Sequence, residues 1–190
     1  MRALVIAPDP SWLEERRRLG LDRFDEVWDG VLHVVPAPSS LHQILESDLE
    51  AVLRPIAASS NLRLLHNLSV YDATVGSPDY RTPDLVVADP VHISKRGVEA
   101  RAELVIELLS PNDESRDKLP FYARCGIPEV WLVEPITRAV EVYVLRGATY
   151  FAATPDRDGS IQAPRLGLEL RTSADGPKLL LGWRDGNAAI

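Results

Sequence analysis

The stretch Glu103-Leu104-Val105-Ile106-Glu107-Leu108-Leu109 constrains the fold more than any other part of this 190-residue chain. Seven residues is strand length rather than helix length, and aliphatic side chains dominate it. Side chains alternate along a strand. Leu104, Ile106 and Leu108 therefore share one face, and Glu103, Val105, Glu107 and Leu109 share the other. Such a strand should be mostly buried. A carboxylate inside it must be hydrogen-bonded, paired or bound to metal, or its pKa rises. Glu107 is thus the first candidate functional residue.

The rest of the chain alternates short strands with helices. Ser11 to Leu19 reads as a short helix, with Ser11 as N-cap and Glu14 completing a capping box. Phe24 to Val35 reads as two strands turning at Asp29-Gly30. Ser39 or Ser40 caps a helix to about Leu53, whose Leu41, Ile44, Leu45, Leu49, Val52 and Leu53 keep helical spacing; Pro55 ends it. Leu62–Leu65 and Ser69–Val75 are short strand candidates, and Gly76, Pro78 and Pro83 mark a loop. Leu85–Ala88 is an apolar strand. After Glu107's strand come a turn, Ser110-Pro111-Asn112-Asp113, and a helix stopping near Cys125-Gly126. Pro120 must sit in that helix's first turn, so the helix starts near Asp117 with Lys118 at its beginning. Val130–Val133 is a buried strand, and Ala139–Leu145 and Thr149–Ala153 form a hairpin. Short strands follow at Leu166–Leu170 and Leu179–Leu181. The order from Ser39 to Glu134 is helix, short strands, helix, strand, with hairpins on both sides. It predicts an α/β fold of the α+β kind with a mixed sheet. The length fits one domain over residues 1–190, with residues 151–190 as a C-terminal β extension.

Three chemistry-bearing residues fall where these elements begin or end. Asp84 opens Leu85–Ala88, Glu107 lies near the end of its strand, and Lys118 starts the following helix. If the two strands are neighbours, the carboxylates converge at one edge of the sheet. Two carboxylates suit Mg²⁺, a hard cation that keeps several waters. A lysine beside them supplies a point charge for a phosphate or positions a nucleophile. The same spacing also suits a structural Glu107–Lys118 ion pair.

The combination of four segments carries a resemblance. Pro83-Asp84-Leu85-Val86-Val87, then Glu103 to Pro111, then Lys118-Leu119-Pro120-Phe121-Tyr122-Ala123, then Gly126 to Pro135 resembles the "putative restriction endonuclease" family of the PD-(D/E)XK nuclease superfamily. Phe24 to Gly30 resembles its early Glu-…-Asp-Gly turn, and His42-Gln43 its helix-borne histidine. The resemblance covers about residues 11–150. It implies a restriction-endonuclease-like core, helix–three strands–helix–strand. It also implies Asp84 and Glu107 as ligands of Mg²⁺, with Mn²⁺ as a substitute, and Lys118 as the active-site lysine. The superfamily's lysine normally stands two residues after the glutamate. That position is Leu109 here, so its role moves to Lys118 on the helix. His42 and Glu46 are one turn apart, a spacing that metal pairs share with ordinary surface neighbours. The resemblance brings His42 to the site.

Other features read as structure. His33 is expected as a packed histidine, and His66 and His92 have no evident partner. Glu26 is either a site residue or a solvated edge acid. Trp28, Trp131, Tyr122, Tyr143 and Tyr150 read as core or sheet-face aromatics. Arg16-Arg17-Arg18 reads as a solvated helix face. Cys125 is the only cysteine, which excludes an internal disulfide and a Cys-based zinc site; it is expected to be packed and inert.

Charge bears on partners. The formal net charge of −7 runs against the basic face usual in DNA-binding proteins. A divalent cation in the carboxylate site would offset this locally. The start lacks a signal peptide's apolar core, and no run approaches ~18 apolar residues, so the expectation is a cytoplasmic protein without membrane spans. The leading function is a Mg²⁺-dependent endonuclease acting on DNA. The alternatives are a catalytically inactive module of the same fold binding protein or nucleic acid, and a homodimer paired through an edge strand such as Ala139–Leu145.

Overall fold

A computed structural model of the protein describes residues 3–74, 79–99, 101–111 and 114–190. The N-terminal part holds β1 (Ala3–Val5), α1 (Pro10–Arg18), β2 (Glu26–Trp28) and β3 (Val31–Val34). Asp29 and Gly30 both take positive φ, 47° and 84°. That is the type I′ geometry whose twist matches a hairpin. The cap of α1 is Asp9 rather than Ser11: its carboxylate accepts from the Ser11 and Trp12 amides, and Pro10 takes the first helical position. Proline gives up nothing there, because that N–H has no helical partner.

Helix α2 (Ser40–Ser59) is capped by the Ser39 hydroxyl and runs past Pro55 instead of stopping before it. Pro55 is on the exposed side, whereas Leu45, Leu49, Leu53 and Ala57 keep the buried stripe continuous. The hydrogen bond that proline removes faces water, and docking of the apolar face carries the helix through.

Next come β4 (Arg63–His66), β5 (Val70–Tyr71), β6 (Tyr80–Arg81), β7 (Leu85–Ala88), β8 (Val98–Glu99) and β9 (Leu104–Leu108). A 3₁₀ turn, Ser115–Lys118, leads into α3 (Leu119–Arg124), which is followed by β10 (Glu129–Val133), β11 (Val140–Arg146) and β12 (Thr149–Ala152). The expected strand Ser69–Val75 shrinks to β5, with Val75 outside the described residues. Gly76 and Pro78 of the expected loop, and Asn112 and Asp113 of the expected turn, also lie outside them.

The central sheet has the order β12-β11-β10-β9-β7-β4. Only β9 and β10 run parallel in it, joined by the crossover through α3; the other pairs are antiparallel. From α2 onward this is the helix–three strands–helix–strand order. Strand β11 lies between β10 and β12, so Ala139–Leu145 is not a free edge, and the pairing once open to it is already used within the chain. A second sheet, β1-β3-β2-β6-β5-β8, stands at the end of the first.

The two faces of β9 serve two cores. Leu104, Ile106 and Leu108 pack with Leu45, Leu49 and Leu53 of α2. Val105 packs with Val86, Val130, Leu132 and the Phe121 and Tyr122 rings of α3. The C-terminal strands β13 (Ile161–Ala163), β14 (Leu168–Thr172), β15 (Leu179–Trp183) and β16 (Gly186–Ala189) form a four-stranded antiparallel sheet. Its Leu168, Leu170, Leu179 and Leu181 join the α2-side core with Trp131, Val133 and Val142. The buried Glu129 accepts from the Arg165 amide at 2.9 Å and from Trp131 Nε1 at 2.7 Å, which ties the extension to β10.

Candidate active site

Strand register brings the two acids together. Leu85 stands opposite Ile106 across the antiparallel β7–β9 pair, and the next step outward sets Asp84 opposite Glu107. Asp84 Oδ2 accepts from the Leu108 amide at 2.6 Å, so the first acid is fastened to the second acid's strand. On the other side of β9, Leu132 of β10 stands beside Glu107. Glu107 is 3% exposed.

Lys118 closes the 3₁₀ turn and caps α3, whose start is set by Pro120 in the first turn. Its Nζ donates to Glu107 at 2.9 and 3.0 Å and to Glu26 Oε1 at 2.8 Å. The lysine thus reaches Glu107 from the 3₁₀ turn before α3 rather than from position 109 of the strand's end. Leu109 stays partly buried against the α3-side core instead. Tyr122, one helical turn after Lys118, donates its hydroxyl to Glu107 Oε1 at 2.5 Å. Residues four apart share a helix face. That spacing from Lys118 was the sequence signal for Tyr122, which reads from composition alone as a core ring.

His42 enters from α2. Its Nε2 is 3.1 Å from Asp84 Oδ1, and its Nδ1 is 4.0 Å from Glu46 Oε2. The i, i+4 pair therefore does not make a joint ligand set; the histidine faces Asp84 and the glutamate stands behind it. Glu46 Oε1 is 2.6 Å from His66 Nδ1, and His66 Nε2 is 2.8 Å from Glu50 Oε2. His66, which has no evident partner in the sequence, is held between two carboxylates from successive turns of α2. Glu26 is 1% exposed and touches Lys118, so it belongs to the cluster rather than to a solvated edge. His33 is packed, stacked on Trp28 with ring centroids 4.3 Å apart. Arg16 departs from the expected solvated face: it pairs with the buried Asp25 at 2.7 Å.

Burial dominates the electrostatics. It pushes the Glu107 carboxyl up to about 7; the Lys118 ammonium pulls against this, and the charges of Asp84 and Glu26 add to the push. Tyr122 is raised well above its ordinary range by burial and then by the Glu107 charge, so it stays a phenol and can donate. For His42, burial opposes the imidazolium, but the hydrogen bond and charge of Asp84, with Glu46 and Glu107, outweigh it and raise the pKa. Burial likewise pushes the Cys125 thiol up to about 12, which leaves it inert.

Two buried carboxylates, Glu26 and Glu107, hold one buried ammonium, and the half-buried Asp84 stands close enough for its charge to act on Glu107. Among the described residues, no three His, Cys, Asp or Glu side chains form a ready-made cation cage. Mg²⁺ asks for less, one or two carboxylates and several waters. Asp84 and Glu107, mutually repelling hard oxygen donors at the strand ends, would fit that cation. The surface grooves beside Ser40, Gln43 and Ile44 and beside Glu169, Arg171 and Asn187 lie elsewhere.

The helix–three strands–helix–strand core with its mixed sheet defines the class: a restriction-endonuclease-like fold. Within it, the chain belongs to the Uma2 family, whose model is described as "Putative restriction endonuclease" and matches residues 7–174. The match runs through β13 and β14, beyond the residues 11–150 that carry the resemblance. Among solved structures, the chain is similar to a crystal structure of a "putative nuclease belonging to DUF820" from Anabaena variabilis, with a TM-score of 0.59 and 19% identity over 75% of this chain and 82% of that one. At that identity the likeness is one of fold. No curated protein matches the chain.

Proposed function

We propose that this protein is a Mg²⁺-dependent endonuclease that hydrolyses phosphodiester bonds in DNA, with Mn²⁺ able to replace Mg²⁺, and that it works in the cytoplasm. The observation that carries the proposal is the half-buried Asp84, just before β7, fastened by the Leu108 amide to the strand of the buried Glu107, with Lys118 Nζ 2.9 Å from Glu107. Family membership supports the reaction class. No helix among the described residues is long and apolar enough to cross a membrane.

In this reading Asp84 and Glu107 hold the cation. When bound, it polarises the scissile phosphate and makes a water acidic enough to attack at neutral pH. The remaining work falls to the chain itself. The Leu108 amide and His42 Nε2 fix the two oxygens of Asp84. Tyr122 fixes the rotamer of Glu107 through its hydroxyl. Lys118 places a positive charge where the pentacoordinate phosphate gathers negative charge, and the dry surroundings make that charge count for more than it would in water.

The test is cleavage of supercoiled plasmid and of single-stranded DNA with Mg²⁺, Mn²⁺ or EDTA. Asp84→Asn and Glu107→Gln should each remove cutting, by about 10³-fold or more, while leaving the far-UV spectrum unchanged. Folded variants that still cut would overturn the assignment.

One observation favours a second reading, a binding module of the same fold without activity. Both Glu107 oxygens already accept from Lys118, and one of them also from Tyr122. A closed ion pair of this kind could serve stability alone. Mn²⁺ calorimetry separates the two: the nuclease binds the ion through Glu107, and the module does not.

A further inference from the structure

Glu26 comes to the cluster from the second sheet, and its carboxylate is fixed by groups other than the lysine. Oε1 accepts from the Thr82 amide at 3.0 Å, and Oε2 accepts from Trp28 Nε1 at 2.8 Å. Thr82 lies two residues before Asp84, so Glu26 is fastened to the segment that delivers the first acid. Lys118 Nζ then lies between two carboxylates, 2.8 Å from Glu26 and 2.9 Å from Glu107. An ammonium has three donors, so it can hold both at once.

We propose that Glu26 is a positioning residue that retains Lys118 when Glu107 turns to a divalent cation. The proposal rests on the metal-dependent reading of Asp84 and Glu107. A carboxylate that gives both oxygens to a lysine cannot also serve a cation fully. A buried ammonium that loses its partner is costly. Glu26 removes the conflict: its carboxylate is already in place, so Lys118 stays paired, buried and beside the reacting phosphate while Glu107 changes partner. Without Glu26, Lys118 leans more heavily on Glu107 and competes with the cation for it.

Such action through another residue has a signature that a purely structural role lacks. Mn²⁺ affinity is measured by calorimetry on the full chain for the wild type, Glu26→Gln, Lys118→Met and the double variant, with thermal unfolding confirming that each is folded. Glu26→Gln should weaken Mn²⁺ about tenfold when Lys118 is present and by at most about twofold when position 118 is methionine. In plasmid cleavage at saturating Mn²⁺, the same variant should lower kcat and leave KM for DNA unchanged. Equal weakening in both backgrounds would show that Glu26 acts on the cation directly and would overturn the proposal. No weakening in either background would also overturn it. Should Glu26→Gln fail to fold, Glu26→Asp takes its place in the same cycle; it keeps the charge but draws the carboxylate back from Lys118, and a smaller loss with the same dependence on Lys118 is expected. A wild type that binds no Mn²⁺ would remove the metal reading itself, which is a different result from binding without coupling.

Discussion

At the scale of the residue, the site is a problem in burying charge. Glu107 sits on a strand that is apolar on both faces, and burial lifts its carboxyl to about 7. In the unfolded chain the same group ionises near its ordinary value of 4.5. Between those values the native protein binds more protons than the unfolded one. This group's contribution therefore falls as pH rises through the window and levels off above it. In metal-free protein, the urea midpoint should drop further between pH 5 and pH 8 for the wild type than for Glu107→Gln. A larger drop in the variant would mean that Lys118 keeps Glu107 ionised throughout. Asp84, Glu107 and Lys118 could be picked out from the sequence because each stands beside a local signal: a proline before a strand, an acid in an apolar run, a proline that sets a helix start. Glu26 could not be placed, since its partner Lys118 is 92 residues away and in a different layer. His66 had no visible partner for the same reason: Glu46 and Glu50 meet it only once α2 packs on β4.

At the scale of the element, the long and strongly patterned pieces were legible and the short ones were not. The buried stripe of α2 and the apolar runs of β7, β9 and β10 appear in the sequence as they do in the fold. Strands of two or three residues, such as β5, β6 and β8, have too little length for any periodicity, and pairing alone defines them. Pro55 is a local rule overridden by packing. Replacing it by alanine should restore a helical hydrogen bond on the exposed side and stabilise the protein by roughly 1–3 kcal/mol, less the greater freedom that alanine gives the unfolded chain. The urea midpoint should rise with its slope unchanged; an unchanged midpoint would show that the helix bends there at no cost. Gly97 marks the opposite case. A Cβ there would lie 2.2 Å from the Ser69 carbonyl oxygen and 2.8 Å from the Tyr71 ring, against the backbone that pairs β5 with β8. Gly97→Ala should cost about 2 kcal/mol or more in urea unfolding, because the obstacle is main chain and not a movable side chain.

At the scale of the whole molecule, the C-terminal sheet is the feature the sequence described least well. The strand candidates at Leu166–Leu170 and Leu179–Leu181 fall on β14 and β15, but nothing in their pattern says what they cover. In the fold their inward leucines meet Trp131, Val133 and Val142, and Arg165 pairs with Glu103. Residues 151–190 are thus part of the main core. A chain shortened to residues 1–154 should bind a hydrophobic dye and lose cooperative thermal unfolding. Sharp, dye-free unfolding of that fragment would make the extension a separate unit. The central sheet itself is complete in sequence by Ala152, whereas the strands that close its face are made after it. During synthesis the cluster of Glu26, Asp84, Glu107 and Lys118 can therefore assemble on a sheet with part of one face, beyond α2, still open to water. That interval exposes Trp131 and its neighbours to other nascent chains. The order of translation, rather than the finished fold, sets when this protein is most prone to aggregate.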